Sequence, residues 1–313
     1  MTRTVVRLDS AFSTINIGGA PFPGALLIYR MKRNQMKKLV QRSLLAALLI
    51  TASATASFAG AWTAKQNTFY EKLAFNYYYS HETFNKTGNR GGTADNGKFK
   101  DYNISNYFEY GLTNDLTVIN SLAYKWLDND NDLSHSKAYG LGDVDLGLRY
   151  KLMDNNIGIF STQTLVKIPG AYDRNDPLPL GNGQFDGEFR LLYGRSLYPL
   201  IPAYGNVEIG YRWRAGDPSD ELRYLIEFGV DLTKDLYGRL KLDGIFSMDN
   251  GNKFGNDGNP TTTNNFDLGK LEITVGYKVT PAWGVEAAYT PALYGQNTAA
   301  GATYSMALFY KTP

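Results

Sequence analysis

The stretch Glu221-Leu222-Arg223-Tyr224-Leu225-Ile226-Glu227-Phe228-Gly229-Val230-Asp231-Leu232 carries an apolar or aromatic side chain at every even position and a charge at four of its odd ones. A repeat of two is the repeat of an extended strand, whose side chains leave alternately on opposite faces. This segment therefore has one oily face and one charged face. Working outward, Arg239, Lys241 and Asp243 oppose Leu240, Leu242 and Phe246. Further on, Lys270, Glu272, Thr274 and Lys278 alternate with Leu271, Ile273, Val275, Tyr277 and Val279. Upstream, Asn206, Glu208, Arg212 and Arg214 alternate with Val207, Ile209, Tyr211 and Trp213.

The alternation runs from Tyr70 to Lys311 and predicts roughly twelve strands of about ten residues, a length suited to a tilted membrane crossing. They are expected at 68–80, 100–112, 115–126, 139–152, 156–168, 184–196, 204–214, 221–232, 236–248, 266–279, 282–293 and 302–311. Tight turns are expected at Thr113-Asn114-Asp115, Asp154-Asn155-Asn156, Thr233-Lys234-Asp235 and Thr280-Pro281-Ala282, with a Pro-bearing one from Leu197 to Ala203. Longer polar loops fall at 81–99, 127–138, 170–183, 215–220, 249–265 and 294–301. Short connections on one side and long ones on the other are the habit of outer-membrane barrels, with the short side and, for an even strand count, both termini in the periplasm.

The expected fold class is all-β: a transmembrane antiparallel up-and-down β-barrel of about 12 strands, preceded by a signal peptide. A secreted β-sandwich would alternate as well, with its apolar face as core. The export signal, the one-sided loop lengths and the charge density of the polar face favour the barrel. Aromatic residues near strand ends (Tyr102, Tyr110, Tyr124, Trp126, Tyr139, Tyr150, Trp213, Tyr277 and Trp283) suit two interfacial girdles.

Met36-Lys37-Lys38 and Arg42 form a positive n-region, Leu44-Leu45-Ala46-Ala47-Leu48-Leu49-Ile50 an apolar core, and Ser57-Phe58-Ala59 a cleavage site. The expected organisation is an upstream extension at 1–30 from a mis-assigned start, a signal peptide at 31–59 and the barrel at 60–313. A retained anchor is the alternative, weakened by an apolar run short for a spanning helix. The 313-residue chain has no Cys, which excludes a disulfide framework, a thiolate metal site and a lipidated amino-terminal Cys. Removing residues 1–59 takes eight Lys/Arg and one Asp from totals of 32 and 30, leaving a net charge of roughly −5. No basic patch remains for nucleic acid.

The charged face supplies the candidate functional residues: Asp143, Asp145, Arg149, Asp186, Glu188, Arg190, Glu208, Arg212, Arg214, Glu221, Arg223 and Glu227 are expected to point into the lumen. Charges lining a watery pore filter solutes, whereas cross-paired charges in a narrow barrel brace its interior. The mixture of signs argues against strong ion selectivity. A hydrolase would need a nucleophile and a base in contact. The two histidines stand in Ser80-His81 and Ser134-His135-Ser136, where neighbours on an extended chain face opposite ways, so no catalytic residue is expected. Asp128-Asn129-Asp130-Asn131-Asp132 begins like a calcium loop, but Leu133 and Tyr139 stand where the helical hand needs Gly and Glu. No phosphate-cradling loop, dinucleotide fingerprint or metal-spaced histidine set appears, and no cofactor or metal is expected.

The run Gly140-Leu141-Gly142-Asp143-Val144-Asp145-Leu146-Gly147-Leu148-Arg149-Tyr150-Lys151-Leu152 joins Leu165-Val166-Lys167-Ile168-Pro169-Gly170 and Val207-Glu208-Ile209-Gly210-Tyr211-Arg212 in a likeness. Together they resemble the outer-membrane barrel family labelled for the meta-pathway of phenol degradation, a transporter-like group. The resemblance covers most of the mature chain. It implies a channel-type barrel for small solutes, aromatic or hydrophobic compounds among them. The chain ends Phe309-Tyr310-Lys311-Thr312-Pro313, whereas barrels commonly end on an aromatic residue. The expected function is porin-like passive passage across the bacterial outer membrane; a structural or adhesive barrel without transport and a barrel hydrolase are the alternatives. The expected partners are outer-membrane lipids, a small-molecule solute and the barrel-assembly machinery.

Overall fold

The computed structural model describes residues 60–216, 218–249 and 265–313. The expected extension at 1–30, the signal peptide at 31–59 and most of the expected loop at 249–265 lie outside the described residues. Twelve strands form the barrel. They are β1 (Phe69–Ser80), β2 (Lys98–Gly111), β3 (Leu116–Asp130), β4 in two pieces (His135–Leu141 and Val144–Asp154), β5 (Ile159–Ile168), β6 (Asp186–Ser196), β7 (Ala203–Arg214), β8 (Glu221–Asp231), β9 (Leu236–Ser247), β10 (Asp267–Lys278), β11 (Trp283–Gln296) and β12 (Ala302–Lys311).

Each strand pairs antiparallel with its neighbours in the chain, and β1 pairs with both β2 and β12. Tyr70 lies opposite Glu109 on one side and Lys311 on the other, so the sheet closes on itself. Closure leaves no edge strand, and every backbone donor and acceptor in the wall can be satisfied within it.

The two faces of each strand have opposite surroundings. Ile226 is 49% exposed while the adjacent Glu227 is 5% exposed. Leu191, Ile209, Leu240, Ile273, Val285 and Leu308 share the outer face of Ile226 and are all exposed. Arg149, Glu188, Arg212 and Glu221 are buried inside. A sandwich would bury the apolar set and expose the charged one; this molecule does the reverse. Its outward apolar belt is larger than a water-soluble monomer tolerates and matches a hydrocarbon surrounding. Tyr150, Tyr277 and Trp283 are exposed near one rim, and Tyr102, Tyr124, Trp126, Tyr139 and Trp213 near the other. Tyr110 is only partly exposed, and its hydroxyl donates to Asn67 at 3.2 Å.

Three of the short turns use one device. Thr113, Thr233 and Thr280 each accept, on the side-chain oxygen, the backbone N–H groups two and three residues on. The hydroxyl thereby closes the turn locally and returns the chain antiparallel. Both the start of β1 and the end of β12 lie at this short-turn end, where the Phe69 N–H donates to Thr312 Oγ1 at 3.0 Å.

Three expectations need correction. The segment 127–138 is not a loop, because β3 runs to Asp130 and β4 starts at His135. Asn131 Oδ1 accepts the Leu133 and Ser134 N–H groups at 2.9 and 2.7 Å, so a tight Asx turn lets the ladder continue past the charged residues. The fourth strand is not continuous, since Gly142 and Asp143 interrupt it. Within the expected loop 81–99, Glu82–Phe84 and Arg90–Gly92 pair with each other, and Thr298–Ala299 adds to them as a small sheet at the long-loop end.

Candidate functional site

Inside the barrel the charges form balanced networks. Around β5 to β8, Lys167, Arg190, Arg212, Arg214 and Arg223 interlock with Asp143, Asp186, Glu188, Glu208 and Glu221. Arg212 Nε donates to Glu188 at 2.6 Å, Arg190 Nη1 to Glu208 at 2.9 Å, and Lys167 Nζ stands 2.8 Å from Asp186. Arg190 also bonds Glu188, which thus serves two arginines directly. Five cations against five carboxylates leave this wall without a dominant sign. On the adjoining wall, from β8 round to β11, Arg239 reaches Glu272 and Glu286, both at 3.1 Å, and lies 3.9 Å from Glu227. Lys72 Nζ caps Glu286 at 2.7 Å, and Lys241 caps Glu272 at 2.6 Å.

The expected lumen residues take these positions. Arg149, Asp186, Glu188, Glu208, Arg212, Arg214, Glu221 and Glu227 are buried, and Arg190 and Arg223 are partly exposed. Asp145 is partly buried on β4. Asp143, expected on a strand, instead sits in the interruption of β4 and holds a loop: it accepts from the Tyr172 hydroxyl and from the Gly170 N–H at 3.3 Å. That loop, between β5 and β6, folds over the long-loop mouth. Its Leu178 and Leu180 are buried against Phe99 and Leu127, and Lys125 Nζ donates to the Leu180 carbonyl at 3.2 Å. Burial, and then the bond to Asp143, raises the Tyr172 pKa above the ordinary tyrosine value.

Sequence reasoning missed Glu109, which is fully buried, bonded by the Tyr107 hydroxyl and paired with Arg149 at 3.1 Å. It also left Lys72, Lys167, Arg239, Lys241, Glu272 and Glu286 out of the candidate set, although most of these share the parity of residues within it.

The largest surprise is the segment before β1. Residues 60–68 run along the inner wall at the short-turn mouth, one strand at a time. The Ala61 N–H donates to Asn206 Oδ1 on β7 at 3.0 Å, and Ser161 on β5 donates to the Ala61 carbonyl at 2.5 Å. Arg149 on β4 donates to the Trp62 carbonyl at 2.9 Å; the Ala64 N–H donates to Thr117 on β3 at 2.8 Å; the Asn67 N–H donates to Gly111 on β2 at 2.9 Å. Ala61 and Ala64 are fully buried. Each of these bonds uses a backbone group of the segment, which no side-chain periodicity reports.

Beside this segment lies a cavity of about 230 Å³ whose lining includes six aromatic side chains. Trp62 meets Tyr204 edge-on, with ring centroids 5.6 Å apart. Tyr204 lies flat on Gly229 and Tyr237 on Gly276; a Cβ at either glycine would fall 2.1 Å from the ring. The missing side chains let both phenols reach inward, where Tyr204 donates to Glu227 and Tyr237 to Glu286, each at 2.7 Å.

The candidate hydrolytic pairs are otherwise engaged. Ser80 donates to the Glu82 carbonyl at 2.7 Å while His81 stacks on Tyr79, and His135 bonds Asp128 at 3.1 Å.

A closed strand barrel with a lipid-compatible exterior and a charged interior is a transmembrane β-barrel of the outer-membrane type. No protein-family model matches the sequence, and no curated protein does. Among solved structures, an outer membrane channel from Pseudomonas putida F1 is similar with a TM-score of 0.67 at 13% identity, over 80% of this chain and 98% of that one. The NanC porin aligns over 77% of this chain and 100% of its own with a TM-score of 0.47 and 10% identity. The translocator domain of the autotransporter NalP from Neisseria meningitidis aligns over 89% and 98% with a TM-score of 0.42 and 10% identity. The likeness to the Pseudomonas protein is one of fold.

Proposed function

We propose that the protein is an outer-membrane channel for the passive passage of small solutes, with its short turns and both termini in the periplasm. The observation that carries this reading is the balanced charge inside a closed wall. Ten charged groups of both signs around β5 to β8 face the interior and pair there with one another, a surrounding that suits water and small solutes with polar groups. The near-cancellation of charge fits weak ion selectivity. The fold shared with a protein described as an outer membrane channel supports the reading. The likeness to the phenol-degradation family, carried by Gly140–Leu152 and the two shorter motifs, adds small aromatic or hydrophobic compounds to the solutes considered. Cleavage after Ala59 would make Gly60 the first residue and leave the segment along the inner wall as the amino terminus of the mature protein.

Proteoliposome swelling tests the proposal. Vesicles carrying the protein should swell in isotonic arabinose or glycine faster than empty vesicles, and more slowly as solute size rises. A correctly folded barrel that leaves swelling at the empty-vesicle rate would overturn transport and favour a structural barrel.

A further inference from the structure

We propose that the cavity at the short-turn mouth is a binding subsite for a small aromatic carboxylate, a single ring bearing one anionic group. The inference rests on the channel reading for its physiological meaning and on local geometry for its chemistry.

The segment 60–68 bonds to the wall from β7 round to β2, and the cavity lies beside it, with Trp62 of the segment in its lining. Its volume of about 230 Å³ exceeds the roughly 150 Å³ apolar cavity that accepts benzene, leaving room for one substituent. Trp62, Tyr198, Tyr204, Tyr237 and Phe309 supply faces and edges for an aromatic ring.

The polar inventory decides what the substituent is. Tyr204 gives its hydroxyl proton to Glu227, Tyr237 to Glu286, and Tyr198 to Asp231. Glu286 is neutralised by Lys72 and Arg239. Asp231 is neutralised by Lys278, at 3.1 Å. Each carboxylate at the cavity is thus paired, and these three phenols are committed as donors. Lys311 also lines the cavity, is partly buried, and its ammonium forms no ion pair or hydrogen bond among the described residues. Asp231 is the one carboxylate shared by Lys278 and Lys311, so one positive charge in excess faces an aromatic space. A carboxylate on the ring would complete it with a charge-assisted bond. A neutral ring would leave the ammonium unpaired, and a cation would be repelled.

The test is equilibrium dialysis of radiolabelled benzoate against the protein purified from membranes in nonionic detergent, with folding verified by heat-modifiable migration. Saturable binding of benzoate is expected, with benzyl alcohol and acetate each competing at least tenfold more weakly. Lys311→Gln should weaken benzoate at least tenfold and Lys311→Arg should restore it. Absence of saturable benzoate binding, equal binding by Lys311→Gln and the unmodified protein, or acetate competing as well as benzoate would each overturn the proposal. Vesicles that swell around a protein that fails this dialysis would sink the subsite and leave the channel standing. Benzoate bound by a protein that conducts nothing would support the subsite while removing the channel.

Discussion

Trp62 and Arg149 are joined by a hydrogen bond of 2.9 Å from the guanidinium to the tryptophan carbonyl, which ties the segment before the first strand to the inner wall of the fourth. The same guanidinium faces the fully buried Glu109 at 3.1 Å, so one side chain both neutralises the wall and anchors the segment. Deleting residues 60–66 should leave the ladder of β1 to β12 intact, since their hydrogen bonds to the wall are additions to it. Swelling of proteoliposomes in arabinose should then rise several-fold. An unchanged rate would mean that the segment does not narrow the passage.

Ile226 and Glu227 are neighbours with opposite surroundings. Ile226→Arg puts a charge into hydrocarbon and should cost about 2–4 kcal/mol of barrel stability if the site is near the midplane. Glu227→Gln keeps an acceptor for the Tyr204 hydroxyl, and Arg239 retains Glu272 and Glu286, so its cost should be smaller. Urea titration of folding into liposomes measures both. A smaller cost for the arginine variant would contradict the assigned faces.

Arg223 and Glu227 stand on one face of β8 with opposite charges. Arg223→Glu should shift reversal potentials toward cation preference and Glu227→Lys toward anion preference, because each adds two charges of one sign to a nearly neutral lumen. Measurement in a salt gradient separates filtering from bracing. Folded variants with unchanged reversal potentials would make these charges internal braces alone.

Tyr172 gives a pH test at the long-loop mouth. Burial first, and the bond to Asp143 second, raise its pKa above the ordinary tyrosine value of 10.0. The protonated hydroxyl is the one that bonds, so its contribution is complete below that value and is lost as pH climbs through the raised one. Trypsin cleavage at Arg174, in the same loop, should be slow at pH 8, where the hydroxyl holds its proton. Tyr172→Phe should cleave readily at pH 8. Equal cleavage of both proteins at that pH would show that this bond does not hold the loop.

The sequence shows the wall and conceals what fills it. Glu221 to Leu232 reads correctly because a strand between lipid and lumen writes its two solvents into alternate residues, and the threonine turns at Thr113, Thr233 and Thr280 carry their own signal. Asp128 to Asp132 misleads, since five polar residues look like a loop when Asn131 alone makes the turn. On the face of β2 that carries Glu109, Asn103, Ser105 and Tyr107 separate it from the only other charge, Asp101, which dilutes its parity. Ala61, Trp62 and Ala64 have no period, and their fixed positions come from hydrogen bonds to strands distant in sequence. Lys311, near the end of the chain, reads as a tail charge until closure brings β12 beside β1 and sets it against the rings.

Single-channel recording in planar bilayers tests the central claim most directly. Membrane-purified protein that migrates as a heat-modifiable barrel should insert in discrete current steps of one unitary size, with weak ion selectivity and larger steps once residues 60–66 are removed. A folded barrel that inserts without steps, with and without those residues, would contradict the account.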